Sequence, residues 1–488
     1  MRTVWSGGVL PALVLCAVAA GVLLRLHGME SQSLSFDEGA TDYFAHLPLA
    51  DLWGKPAWLE TNPPLYYTME RGTLLLFGND VATLRLVSVI AGALCIPMAA
   101  FIAHLAGGPA AGLASAALVA TSTASIVSSQ DARTYSALTL VALVAIAAVF
   151  SLVRSYCGAE RSGRRVPLGA WVSYVLASVA ALYLHNTAFL MVLTLNLVAA
   201  LCWLSIPDMP RRFATHWIAA NAFVVAAYVP WLPVVAYQSA NPFTTSWIPV
   251  PKLADLRYEM MNAYAQPFMH ALQPLPDLLF LVVGLAGIFR FRSNRFLLGL
   301  AIFVVLGVPV LTWVISQWRP LTNGKTLLWL VPVFLIFAAL GSTWHRRLAI
   351  PLTSALVALQ LVACYSYFQT RSDDTFPQMA QLLRTYAQDG DAIYLHAPAD
   401  ELVLRYYGWP RERLLVYAPG PVGWFRSYSG SIMTVADFEQ AGHTGRVWVF
   451  TRNNRDFHRS LVQHLSANMT EVFERSLSGL ELSLLQPR

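Results

Sequence analysis

Eleven apolar runs, each long enough or nearly long enough to cross a bilayer, occupy the first three quarters of this chain. They fall at about 7–26, 81–103, 111–127, 135–153, 168–184, 187–205, 217–236, 274–289, 296–316, 327–343 and 349–368. A stretch of roughly 17–25 apolar residues belongs in a membrane or in a large buried core. Composition decides between them. The 488 residues are 56% hydrophobic and only 12% charged, against roughly 45–50% and 25% for an average soluble domain. Mean hydropathy is +0.51. A soluble core cannot hide so much apolar surface, so the expectation is a polytopic α-helical membrane protein with about eleven spans. The first run follows Arg2 as a signal peptide would. It is long, lacks a clean small-x-small cleavage site and is followed by ten more runs, so it is taken as an anchor.

Other classes drop out quickly. Cys16, Cys95, Cys202 and Cys364 lie inside apolar runs and Cys157 in a basic loop, so no disulfide framework or cysteine metal site is readable. The net charge of +6 would suggest nucleic acid in a soluble protein. Here the basic residues sit between apolar runs, where they set membrane orientation; no nucleic-acid partner is expected. The short loops 154–167, 206–216, 290–295 and 344–348 hold Arg154, Arg161, Arg164, Arg165, Arg211, Arg212, Arg290, Arg292, Arg295, Arg346 and Arg347. The alternate loops 27–80, 128–134, 185–186, 237–273 and 317–326 are longer in total and carry only Lys55, Arg71, Arg133, Lys252, Arg257, Arg319 and Lys325. The positive-inside rule then puts the N-terminus in the cytoplasm and the tail from 369 outside.

Two domains are expected. Residues 1–368 form a transmembrane domain that includes the outer loops 27–80 and 237–273. Residues 369–488 form a soluble α/β domain. In this tail, helical runs at 376–388, 399–407 and about 455–466 alternate with strand candidates at 391–396, 446–451, 470–474 and 478–485, which argues for a parallel or mixed sheet covered by helices. No glycine-rich phosphate loop opens any of these helices, so a nucleotide site there is not expected.

Polar clusters gather on the outer face. Loop 27–80 opens with Ser35-Phe36-Asp37-Glu38-Gly39-Ala40. Its two carboxylates suit either an acidic helix N-terminus or a functional acid pair. Asn62-Pro63-Pro64-Leu65-Tyr66-Tyr67 follows as a rigid bend, since paired prolines fix φ and remove two donors. The next outer turn is Ser128-Ser129-Gln130-Asp131-Ala132-Arg133-Thr134-Tyr135. There an acid and a cation at membrane depth are a site candidate or a paired cap on the span starting at Tyr135. His185-Asn186 forms a further outer turn, where a histidine suits a buried hydrogen-bond partner or a ligand. Trp318-Arg319-Pro320 and Asn323-Gly324-Lys325 place two cations where a lipid phosphate would lie, or where they merely snorkel. Together these clusters stand beside five different spans on one face. Two acids, several cations and an adjoining lipid phase suit a transferase using a polyprenyl-phosphate sugar. The leaving phosphate needs cations, and the acceptor hydroxyl needs a carboxylate base.

The order of these motifs resembles the GT-C glycosyltransferases, in the branch holding protein O-mannosyltransferases and the lipid A aminoarabinose transferase. Phe36-Asp37-Glu38, Asn62-Pro63-Pro64-Leu65-Tyr66-Tyr67, Gln130-Asp131-Ala132-Arg133-Thr134-Tyr135 and the basic residue before Thr326 carry the resemblance, with the tail resembling the periplasmic domain of bacterial members. It implies a GT-C fold and a bacterial inner-membrane enzyme moving one sugar from a polyprenyl-phosphate donor to a glycan, lipid or protein acceptor on the periplasmic face. It further implies Asp37 as general base of an inverting transfer, with Glu38 beside it and Asp131 as second active-site acid. Arg133, Lys325 and Arg319 are the candidates for the donor phosphate, and Asn62, Tyr66, Tyr135 and His185 for the substrate. The chain departs from the family pattern at Asn62, where His or Lys is common, at Lys325-Thr326, where Arg-Tyr is common, and at Thr61, where the aminoarabinose branch has a metal-site Glu. The last departure argues against tightly bound zinc and leaves a loosely held divalent ion open. A transporter or flippase of lipid-linked saccharide is the rival class. Against it stand the lack of a visible internal repeat and span interiors that look nearly free of charge.

Overall fold

A computed structural model describes residues 9–58, 60–162, 168–241, 248–264, 275–321, 324–370, 375–397, 400–419, 430–432 and 445–488. Arg2, Arg164, Arg165, Asn323 and the segments 242–247 and 265–273 of the second outer loop lie outside them. The chain divides into two compact units. One comprises Met1–His27, Thr61–Met69 and Arg85–Thr370, the other Gly28–Glu60, Glu70–Leu84 and Arg371–Arg488. The tail thus begins its unit within a few residues of position 369, and most of the outer loop 27–80 clusters with it.

The first unit is a bundle of apolar helices. Among the described residues, Val81–Gly107, Tyr135–Cys157, Ala188–Ser205, Arg211–Ala240, Arg295–Ser316 and Ala349–Gln369 are long and apolar enough to cross a bilayer. Pro11–Leu26, Leu168–Leu184 and Leu328–Ser342 are shorter apolar helices, and the run at 274–289 forms the helix Leu275–Arg290. Val331–Ser342 is buried along its whole length, as expected for a helix apolar on every side. It packs on Leu275–Arg290 through glycines. A Cβ on Gly341 would run into the Val283 carbonyl oxygen, and one on Gly287 into that of Phe337. Small residues of this kind let membrane helices approach backbone to backbone.

The run 111–127 is not a straight span. Pro109–Thr121 and Thr123–Ser129 meet at Ser122 with a bend of 57°. The Ser122 hydroxyl accepts from the Ser125 N–H at 3.4 Å and so starts the second helix. The bend strands the last carbonyls of the first helix, which water cannot satisfy at this depth. Arg25 does so instead. Its Nη1 donates to the carbonyls of Ala120 (3.2 Å) and Gly21 (2.9 Å), Nη2 to that of Val119 (3.3 Å), and Nε to the Ser129 hydroxyl (3.1 Å). A guanidinium at a helix C-terminus also meets the negative end of the helix dipole. Gly92 leaves it room, since a Cβ there would stand 3.1 Å from Arg25 Nε. The expectation that span interiors are nearly free of charge therefore fails at Arg25 and also at Arg85, which are 0% and 1% exposed.

The second unit is built on a six-stranded mixed sheet in the order β3-β2-β1-β4-β6-β5, with β1 Asp391–Leu395, β2 Leu414–Pro419, β3 Gly430–Ile432, β4 Val447–Arg452, β5 Met469–Leu477 and β6 Leu480–Pro487. Strands β1 to β4 pair in parallel, and β6 runs antiparallel to β4 and β5. The central strands β1 and β4 read as continuous apolar runs because both faces are covered. Strand β5 lies at the edge and carries exposed Glu471, Glu474 and Arg475, which discourage pairing with another chain. Helices Thr375–Tyr386, Asp400–Tyr406 and Arg455–Leu465 stand close to their expected positions. The first ends at Tyr386, short of the expected 388.

If Arg25 holds the bent helix, Arg25→Lys should lower stability by about 1–3 kcal/mol. It keeps the charge but cannot reach four acceptors with one ammonium. Thermal unfolding in lipid nanodiscs measures this; an unchanged melting temperature would remove Arg25 from that role.

Candidate active site

The Arg25 contacts lead directly to the turn at Asp131. One residue beyond Ser129, Gln130 is fixed at both ends of its amide. Its Nε2 donates to the carbonyls of Arg25 (2.7 Å) and His27 (2.9 Å), and its Oε1 accepts from the Tyr367 hydroxyl (3.1 Å). Asp131 then projects from a pinned backbone. Its Oδ2 lies 3.2 Å from Lys325 Nζ, and the side chains are 19% and 40% exposed. The Lys325 ammonium also stands 5.6 Å from the centre of the Tyr135 ring. An ion pair this exposed contributes little to stability. Its consequence is positional: it joins two segments 194 residues apart.

Arg133 is buried, and its Nη1 donates to the Tyr67 hydroxyl at 3.3 Å. Its carbonyl accepts from the Ser88 hydroxyl (3.0 Å), which is itself 2.8 Å from the Tyr66 hydroxyl. The tyrosines after the paired prolines thus hold the turn carrying Arg133. Tyr66 is 1% exposed, so the structure gives it a supporting place in the framework. Asn62 is buried at the same bend. The bend is tied down by Asn186, whose Nδ2 donates to the Thr61 carbonyl (2.6 Å) and to Gln238 Oε1 (2.9 Å).

His185 is partly exposed and lies 6.0 Å, ring to ring, from Tyr135. The Thr187 N–H donates to its Nδ1 at 3.1 Å, so Nδ1 is an acceptor and the neutral ring carries its proton on Nε2. Burial, reinforced by the Arg133 charge, pushes the imidazole down to about 4 from the ordinary 6.5. Arg319 is placed differently from Lys325. Its two terminal nitrogens donate to the carbonyls of Ser239 (3.2 Å) and Gln238 (2.9 Å), at the C-terminus of the helix Leu232–Ala240. This is a helix cap of the kind basic residues favour.

Asp37 and Glu38 belong to the second unit. They occupy the first turn of the helix Phe36–His46. Ser35 and Glu38 form a capping box: the Ser35 hydroxyl accepts from the Glu38 N–H at 3.3 Å, and the Glu38 carboxylate accepts from the Ser35 N–H at 2.9 Å. Glu38 is 2% exposed, whereas Asp37 is only partly buried. The acid pair therefore splits, with Glu38 engaged in starting the helix.

Sequence reasoning passed over Glu259, on the helix Leu253–Tyr264. Its buried Oε2 has no hydrogen-bond partner among the described residues. Burial, with Asp255 adding to it, raises its carboxyl above the ordinary range. A Cβ on Gly324, next to Lys325, would stand 3.6 Å from that oxygen. An acid beside Tyr258 and Met260 in an outer loop was the available signal. No group of three His, Cys, Asp or Glu side chains suited to hold a metal occurs among the described residues.

No protein-family model and no curated protein sequence matches the chain. Solved structures do. ArnT from Cupriavidus metallidurans in its apo state superposes with a TM-score of 0.66 at 13% identity, over 97% of this chain and 98% of that one. The same protein bound to undecaprenyl phosphate gives 0.65 at 13% identity over the same shares. The Archaeoglobus fulgidus oligosaccharyltransferase in complex with Zn and sulfate gives 0.56 at 12% identity, over 96% of this chain and 72% of that one. At such identities the likeness is one of architecture, and it runs through both units. This chain has the GT-C fold that these solved structures share.

Proposed function

We propose that this protein is an integral-membrane glycosyltransferase that moves one sugar from a polyprenyl-phosphate donor to an acceptor on the extracytoplasmic face of a bacterial inner membrane. The observation that carries the reading is the cluster of Asp131, Lys325, Arg133 and His185, drawn from three outer segments of a chain with the GT-C fold. Similarity to ArnT bound to undecaprenyl phosphate supports a lipid-linked donor. The acceptor is a glycan, a lipid or a protein. The N-terminus is cytoplasmic and the tail extracytoplasmic on the strength of arginine placement.

The step is a single displacement. Asp37 takes the proton of an acceptor hydroxyl, and the acceptor oxygen bonds to C1 as the bond from C1 to the phosphate oxygen breaks. Polyprenyl phosphate leaves with that electron pair, and the anomeric centre inverts. Lys325 and Arg133 neutralise the charge gathering on the phosphate. Asp131 aims Lys325, and Tyr67 aims Arg133. Neutral His185 has an Nε2–H to donate to a sugar or phosphate oxygen. Arg319, with two donors engaged at a helix end, is a weaker candidate for phosphate than Lys325. The buried charge at Arg25 does not favour transport, because its contacts close a helix break.

Asp37→Asn is nearly isosteric and should reduce transfer by roughly 10²–10⁴-fold while leaving the protein folded in the membrane. Release of polyprenyl phosphate from a radiolabelled donor, with acceptor identified by mass spectrometry of envelope glycans and lipids, measures it. Wild-type turnover in the variant would refute the assignment. His185 gives a second outcome. An unfolded histidine takes up its proton near 6.5, but the folded one does so only near 4. Its contribution to stability is therefore present above pH 6.5 and is lost as the pH falls toward 4. The fall in melting temperature from pH 7 to pH 4 should be smaller in His185→Gln than in wild type. Parallel curves would mean that His185 titrates normally.

A further inference from the structure

A cavity lies wholly within the second unit. It has a volume of about 400 Å³ and is lined by Asp42, His46, Asn79, Arg405, Tyr43 and Tyr406 with apolar neighbours. That volume is in the range of small-ligand pockets, roughly 300–1,000 Å³. Its walls are the helices Phe36–His46 and Asp400–Tyr406, and both are pinned. The Leu34 N–H donates to the Tyr407 hydroxyl at 2.9 Å, fixing the entry to the first helix. Arg71 Nη1 donates to the carbonyls of Leu47 (2.9 Å) and Ala45 (3.3 Å), closing its C-terminal end. The cavity is therefore part of a held framework.

The chemistry of the lining is mixed in a specific way. Asp42 and His46 lie 3.2 Å apart, with the carboxylate largely covered and the imidazole half exposed. Burial raises the Asp42 carboxyl, with His46, an Asn79 hydrogen bond and Arg405 acting against that. The lining thus offers a carboxylate acceptor, an amide that donates and accepts, an imidazole and a guanidinium fork. Opposite charges roughly cancel, which disfavours a strongly ionic ligand. Two tyrosine rings add flat apolar surface with polar tips. Planar acceptor and donor groups match pairs of neighbouring hydroxyls, and aromatic faces match the C–H face of a pyranose ring.

We propose that this cavity binds a neutral, hydroxyl-rich saccharide of one or two rings, and that this saccharide is part of the acceptor. The second half rests on the transferase reading above; the binding itself does not. The helix that forms one wall carries Asp37 on its first turn. With a rise of about 1.5 Å per residue, Asp42 follows Asp37 by roughly 7–8 Å along the helix axis, so a saccharide seated here extends along the helix that bears the proposed base.

The test uses the full chain in phospholipid nanodiscs, free of sugar-headed detergent. Saturation-transfer NMR is recorded with the methyl glycosides of glucose, galactose and mannose as probes. Wild type should transfer saturation to at least one of them. Arg405→Ala, which replaces an exposed side chain, and near-isosteric Asp42→Asn should each cut the signal at least fivefold with unchanged melting temperature. Asp37→Asn should leave it intact. No transfer to any glycoside, equal transfer in the two pocket variants, or displacement by inorganic phosphate at the same concentration would overturn the saccharide site. Turnover of a polyprenyl-phosphate donor is followed separately. Donor turnover with acceptor KM unchanged in Arg405→Ala overturns the acceptor assignment, and a raised KM at constant donor turnover supports it. No donor turnover in wild type overturns the transferase reading and with it the acceptor assignment, while the NMR result still decides the saccharide site.

Discussion

A helix that breaks inside a membrane protein leaves carbonyl oxygens where no water reaches them, and the cluster at Asp131 depends on how this chain satisfies those at Val119 and Ala120. Arg25 brings a planar fork from another helix into the break and bonds both, along with Ser129 on the far side of the bend. A buried guanidinium is costly unless its donors are occupied, and here the stranded carbonyls occupy them. The two problems offset each other. Gln130 extends the same set of contacts to the Arg25 and His27 carbonyls and to Tyr367. Asp131 comes next in sequence, so the position of the proposed second acid follows from the repair of a helix break about two turns away.

The cluster at Asp131 is an arrangement of partners that sequence distance conceals. Asp131 pairs with Lys325, and Arg133 with Tyr67. Each cation is contacted by a group outside its own segment. Arg319 shows the contrast. It sits only six positions before Lys325, yet its donors close the C-terminus of the helix Leu232–Ala240.

Much of the architecture was legible because its signals are local. Apolar length marks spans, and the strands 391–396 and 446–451 announced themselves as short apolar runs between helical ones. Strand β2 was not recognised, since Leu414–Pro419 follows the charged turn Arg411-Glu412-Arg413 and ends in proline. The bend at Ser122 was also hidden, because an apolar run reads the same straight or broken. Arg25 was passed over for the complementary reason: at the edge of an apolar run it looks like a snorkelling end, and only its tertiary acceptors explain its burial. For the site, the acids and cations stood out by type and position. Which of them meet was decided by contacts across 50 to 240 residues of sequence, such as Thr134 with Leu184 and Thr121 with Gln360. The division of the acid pair, with Glu38 in a capping box and Asp37 beside it, was half visible, since Ser35 and Glu38 have the spacing of such a box.

The central claim is that the cluster around Asp131 receives a lipid-linked phosphate through Lys325. Equilibrium binding of a fluorescent polyprenyl phosphate to the protein in nanodiscs, compared among wild type, Lys325→Ala and Arg319→Ala, tests it most directly. A charge-assisted contact to phosphate contributes about 1.5–3 kcal/mol, so Lys325→Ala should weaken binding roughly 10–100-fold, and Arg319→Ala should change it little. Equal affinity in wild type and Lys325→Ala, or a loss confined to Arg319→Ala, would contradict the account.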